Sequence, residues 1–142
     1  MTTAIDSNVL VALWDPIDAL NLAAQSALDS ALDRGRLIVP APVFAELMAF
    51  PKRTEVFLDS FFSETGIEVD WHLDDRVWRS AGRAFQRYVL RRRISRSSPR
   101  RILADFLIGA YAAENGHRLL TLDDGLYRKA FPELEIVTAL SS

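Results

Sequence analysis

Short apolar runs alternate along this chain with longer stretches in which apolar residues recur every three to four positions. The first kind predicts strands over residues 2–6, 37–39, 67–71, 118–122 and 135–138. The second predicts helices over residues 7–14, 19–34, 43–50, 55–64, 74–93 and 101–115, with a short last helix over 125–131. Strands alternating with helices indicate parallel strands joined by helical crossovers, so the expected class is α/β with a parallel sheet of four to five strands. Local chemistry marks several boundaries. Pro16 and Asp18 precede the second helix, Gly35 follows its basic end at Arg34, and Gly66 and Gly116 close helices that feed into strands. Ser98 and Pro99 form a cap and first-turn pair for the helix that carries Asp105.

The chain has 142 residues, 49% of them hydrophobic, enough for one core and too few for a second domain, so residues 1–142 are read as a single unit. The opening MTTAIDSNVL lacks a basic leader region and meets an acid at Asp6, and no apolar stretch reaches the length of a membrane span. A soluble cytoplasmic protein is therefore expected. The absence of cysteine excludes disulfides, thiolate zinc sites and cysteine nucleophiles, leaving oxygen or imidazole for any metal.

The net charge of −2 conceals an asymmetry. Residues 76–104 hold ten of the seventeen basic residues, all arginine, and no acid, which leaves seven basic residues against all nineteen acids elsewhere. With residues placed 100° apart on the helix over 74–93, Val77, Trp78, Ala81, Ala84, Phe85, Tyr88 and Val89 gather on one side and are expected in the core. Arg76, Arg79, Arg83, Arg87 and Arg91 gather on the other, and Arg92, Arg93, Arg96, Arg100 and Arg101 extend the stripe toward Asp105. One reading is a polyanion-binding surface; the alternative is a solvated helix face that pairs with the protein's own carboxylates.

Four of the acids stand in apolar surroundings. Asp6 ends the strand TTAID, Glu46 lies inside VFAELMAF, Asp105 inside ILADFLIGA, and Asp123 ends RLLTLD. An ionised carboxylate there needs a cation or a set of hydrogen bonds, and for any one of them a cap or an arginine pair is the plainer explanation. Together they suggest more. In an open parallel sheet, chemistry sits outside the carboxyl ends of the strands, where strand order reverses. Asp6 and Asp123 are at two such ends, and Glu46 and Asp105 are expected in the early turns of helices. Four carboxylates with neither cysteine nor a nearby histidine describe a hard-oxygen site suited to Mg2+ or Mn2+, acting on an anionic substrate.

At these residues the sequence resembles the PIN-domain family, and within it the toxin ribonucleases of VapBC-type toxin–antitoxin pairs. The resemblance is carried by AIDSNVL, APVFAEL, RRILADFLIGAYA and HRLLTLDDGLYRKAFPEL, and it spans nearly the whole chain. It implies a three-layer α/β/α fold, magnesium- or manganese-dependent endoribonuclease activity, a homodimer, and inhibition by a small antitoxin protein. Asp6, Glu46 and Asp105 match the family's first three acids. Asp123 is taken as the fourth because it directly follows the strand in the T-x-D pattern, with adjacent Asp124 as the alternative. Asn8 and Thr121 look like the family's polar supports, although Asn8 also suits a helix start. Arg92, Arg93, Arg96, Arg100 and Arg101 are the expected RNA-binding group.

Three other readings compete. His72 and His117 could form a metal-free acid–base pair, but they fall at opposite ends of their predicted strands. A phosphohydrolase resembling the haloacid dehalogenases needs a second aspartate two residues after the first, where this chain has Asn8. A non-catalytic RNA-binding module would use the arginine stripe and leave the four acids unexplained. Tyr127, close to Asp123, is a candidate base contact.

Overall fold

The computed structural model of the protein describes residues 1–94 and 103–138. In chain order these form β1 (Thr2–Ile5), α1 (Ser7–Trp14), α2 (Asn21–Arg34), β2 (Arg36–Pro40), α3 (Ala41–Leu47), α4 (Glu55–Thr65) and β3 (Glu68–Asp70). Then follow α5 (Asp75–Ile94), α6 (Leu103–Glu114), β4 (Arg118–Thr121), α7 (Gly125–Ala130) and β5 (Ile136–Thr138). Every predicted strand and helix is present. The predicted start of α6 at residue 101 lies outside the described residues. Among the described residues, no helix is long and apolar enough to cross a membrane.

The five strands form one sheet in the order β3-β2-β1-β4-β5, with every pairing parallel. The chain runs outward from β1 through β2 to β3, then returns to the other side of β1 for β4 and β5. Right-handed crossovers therefore place α1, α2 and α4 on one face and α5, α6 and α7 on the other, giving three layers. The helix contacts agree: α1 packs with α2, and α5 and α7 pack with α6. Covered on both faces, β4 is buried throughout and β1 nearly so, which is why both read as continuous apolar runs. Strand order reverses between β1 and β4, so the crevice at their carboxyl ends is the expected place for chemistry.

Two glycines make close approaches possible. Gly35 has φ +147°, and a Cβ there would stand 1.9 Å from the Met1 carbonyl oxygen, which accepts a 3.0 Å bond from Arg36 N–H. This fixes the end of α2 against the start of β1. On α6, a Cβ at Gly109 would stand 2.4 Å from Phe131 Cε2 and 3.1 Å from Tyr127 Cδ1. The glycine, one turn beyond Asp105, is what lets α7 lie close against α6.

The buried seam of α5 is Val77, Ala81, Ala84 and Tyr88, with the Tyr88 ring 5.4 Å from that of Phe106 on α6. Trp78 departs from expectation: it is 50% exposed, because it stands one position, or 100°, round the helix from Val77. Glu46 departs too. Helix α3 starts at Ala41, directly after β2 and with Pro42 in its first turn, and ends at Leu47, so Glu46 sits in the last turn and not the first.

Replacing Gly109 by alanine forces the Phe131 ring to move and is expected to lower unfolding free energy by about 1–3 kcal/mol. Gly82, exposed on α5 with nothing within 4 Å of an added Cβ, is the control. Gly82→Ala should stabilise the protein by up to about 1 kcal/mol in the same urea titrations.

Candidate active site

Asp6 leaves the central strand β1 as the N-cap of α1 and is only 5% exposed. Its backbone N–H continues the sheet ladder to the Leu120 carbonyl at 2.9 Å, so the strand pairing itself sets where the side chain starts. Three donors then fix the carboxylate. Ser7 N–H donates to Oδ1 at 2.8 Å, while the hydroxyls of Thr121 and Tyr127 donate to Oδ2 at 2.8 and 2.9 Å. Burial pushes the Asp6 carboxyl above its ordinary range, and these hydrogen bonds oppose that rise only in part. Tyr127 is 2% exposed, and burial together with the charges of Asp6 and Asp105 pushes its hydroxyl well above the usual tyrosine range. It therefore remains a donor to Asp6 and has no exposed face for a base, which removes it as a base contact.

Thr121 is the hub of this network. A hydroxyl has one hydrogen and two lone pairs, and here the hydrogen goes to Asp6. The lone pairs face Asn8 Nδ2 at 3.3 Å and Asp123 N–H at 3.1 Å. Asn8 in turn accepts from Leu122 N–H at 3.1 Å through Oδ1, tying α1 to the turn that carries Asp123. Asn8 is thus more than a helix-start residue.

Asp6, Asp105 and Asp123 line one cavity of about 180 Å³, together with Ser7, Asn8, Leu126 and Tyr127. Asp105 reaches it from the first turn of α6, as expected. Glu46 is not in the lining but is joined to it: Ser7 Oγ donates to Glu46 Oε1 at 3.1 Å. Burial, with the negative charges of Asp6 and Asp105, pushes Glu46 up from 4.5 to about 7 although the Ser7 hydroxyl opposes the rise. Asp124 lies outside the cavity and pairs with Arg128, which holds its carboxyl below the usual range. Among the described residues, no three acidic or histidine side chains stand close enough as placed to share one ion. Asp6 is held by its three hydrogen bonds, Asp105 is half-buried and Asp123 exposed.

Of the arginine group, Arg92 is half-buried and Arg93 exposed at the end of α5, while Arg96, Arg100 and Arg101 lie outside the described residues. Arg76 pairs with Asp74, just before the helix, and Arg79 with Asp75 in its first turn, each at 3.3 Å, so the stripe is partly neutralised at its far end. His72 follows the carboxyl end of β3 and His117 precedes the amino end of β4, at opposite ends of parallel strands. Two contributors were missed from sequence: Ser7, whose hydroxyl holds Glu46, and Tyr127 as a partner of Asp6. The available signal was adjacency, since Ser7 directly follows Asp6 and Tyr127 stands four residues after Asp123.

The model of the PIN domain family matches residues 3–132. The chain belongs to the PIN domain family. Solved structures with the same fold as this PIN domain include VapBC2 from Rickettsia felis bound to a promoter DNA fragment, with a TM-score of 0.72 and 16% identity over 97% of this chain and 98% of that one. A toxin–antitoxin complex from Klebsiella pneumoniae matches with a TM-score of 0.67 and 16% identity over 96% and 97%. Mycobacterium tuberculosis VapC20, a sarcin-ricin loop cleaving toxin, matches with a TM-score of 0.63 and 15% identity over 94% and 98%. Among curated proteins, no sequence gives a significant match to this PIN domain.

A carboxyl raised on folding binds its proton more tightly in the folded than in the unfolded chain. Stability therefore falls as pH climbs from 4.5 toward 7, the window of the Glu46 shift, and levels off above it. Chelator-treated PIN domain should show this decline in thermal melting. Glu46→Gln should flatten the slope and melt above the parent at neutral pH.

Proposed function

We propose that this PIN domain is a metal-dependent endoribonuclease, and that it acts in the cytoplasm as the toxin of a toxin–antitoxin pair. The observation that carries the reading is the convergence of Asp6, Asp105 and Asp123 on one cavity at the strand-order switch, with Glu46 coupled to them and no basic side chain among the described lining residues. This all-oxygen donor set suits Mg2+ or Mn2+, which would be held by Asp6, Asp105, Asp123 and Glu46. A bound ion would supply an acidified water and offset charge on the phosphodiester.

The chain's own residues divide the remaining work. Thr121, Tyr127 and Ser7 N–H hold Asp6 as an acceptor in one orientation, and Asn8 holds the turn that presents Asp123. Such outer partners orient ligands and set affinity. Glu46, pushed up to about 7, holds a proton near neutral pH and yields it when positive charge arrives beside it. Arg92 and Arg93, with Arg96, Arg100 and Arg101, position the RNA backbone through charge and not through base recognition. The toxin assignment and the small antitoxin partner are supported by the toxin–antitoxin structures that share the fold, while the homodimer rests on the resemblance to the VapBC-type toxins alone. RNA as substrate is supported by the arginine stripe and by VapC20. The phosphohydrolase reading loses ground because Asn8, where a second aspartate would be needed, is engaged by Thr121 and Leu122.

Purified protein incubated with single-stranded RNA and manganese should cleave it, and chelator, Asp6→Asn or Asp105→Asn should each abolish cleavage. Cleavage surviving both substitutions would overturn the site; binding without cleavage would favour the RNA-binding module, and a phospho-aspartate at Asp6 the phosphohydrolase. Asn8→Ala should lose about 10–100-fold in activity or metal affinity. Replacing Arg92 and Arg93 together by glutamine should reduce the slope of log affinity against log salt by about 1.4 for single-stranded RNA, with cleavage-site choice unchanged.

A further inference from the structure

On the sheet face opposite Thr121 lies a second cavity, of about 270 Å³ and of mixed polar and apolar lining, between α2 and the strands β1, β4 and β5. Arg118 is paired in register with Thr3, so the two side chains stand together on this face, while Leu119 and Thr121 alternate to the other. Arg118 is only 5% exposed. Its Nη2 donates to Thr3 Oγ1 at 3.2 Å, and its buried Nε has no hydrogen-bond partner among the described residues. No acid appears among the described lining residues. A guanidinium removed from water without a carboxylate carries a desolvation penalty that an anion would relieve.

The rest of the wall is suited to the same guest. Helix α2 presents Ser26, Ser30 and Arg34 at intervals of four, on one stripe beside small alanines that leave the space open. Thr138 closes the side formed by β5. Two guanidinium groups and several hydroxyls offer more donors than the two oxygens of a carboxylate can take, and they match the three terminal oxygens of a phosphate group.

We propose that the Arg118 cavity is a phosphate-binding site, separate from the carboxylate site, that takes free phosphate or the terminal phosphate of a small monoester. The test is thermal melting of the full chain in chelator at constant ionic strength, titrated separately with inorganic phosphate and adenosine 5′-monophosphate. The melting temperature should rise and saturate with at least one of them, and tighter binding of one identifies the natural source. Arg118→Met keeps the buried volume filled and should fold, with an apparent phosphate Kd at least about tenfold weaker. Ser30→Ala, at the exposed rim, should weaken binding without altering the unliganded melt. No saturable rise with either probe, or the same rise in the parent and in Arg118→Met, would overturn the proposal. The second result would mean that phosphate acts only as a stabilising salt.

Discussion

A carboxylate placed at the end of a buried central strand sets the terms for the rest of this structure. Asp6 has left water almost completely, and burial pushes it toward its protonated form. It is kept as an oriented acceptor by donors from three separate places: the first turn of α1, the end of β4 and the middle of α7. The last of these depends on Gly109, because only a residue without a side chain lets Tyr127 and Phe131 lie so close to α6. The position of α7 and the turn bearing Asp123 are thus tied to one carboxyl group. Glu46, one hydrogen bond away through Ser7, feels the same accumulation of negative charge.

The strands and helices were legible in the sequence because each buried strand is a short apolar run and each helix carries its own face and stop signals. The acids were legible for a related reason: a carboxylate interrupting or ending an apolar run is conspicuous. What the local pattern could not carry is partnership across the chain. Thr121 and Tyr127 reach Asp6 over separations of 115 and 121 residues. Neither pairing has a signature in composition or periodicity. Helix length misled as well, since the place of Glu46 depends on α3 beginning straight out of β2. Trp78 shows the coarseness of a helical wheel, where one position separates the seam from the solvent. Arg118 drew no notice in HRLLTLD, where only its burial makes it unusual.

Charge is distributed with the same economy. The arginines of α5 up to Arg87 are exposed, as is Arg93, and their ion pairs with Asp74 and Asp75 are of the solvent-facing kind that contributes about 0–1 kcal/mol each. Arg87 also reaches across to the end of α7, where its Nη2 donates to the Ala130 carbonyl at 3.5 Å. The arginines crowd one helix of a protein whose remaining charge is acidic, which favours an encounter with a polyanion along that helix. Its C-terminal end leads, through residues 95–102, to the helix that bears Asp105.

The central claim is that these carboxylates form a divalent-cation site, and crystals grown with manganese test it most directly through anomalous scattering. The account predicts one or two peaks in the cavity between Asp6, Asp105 and Asp123, with Glu46 within reach, and their loss in Asp6→Asn. A cavity without a manganese peak, or a peak that persists unchanged in Asp6→Asn, would contradict it.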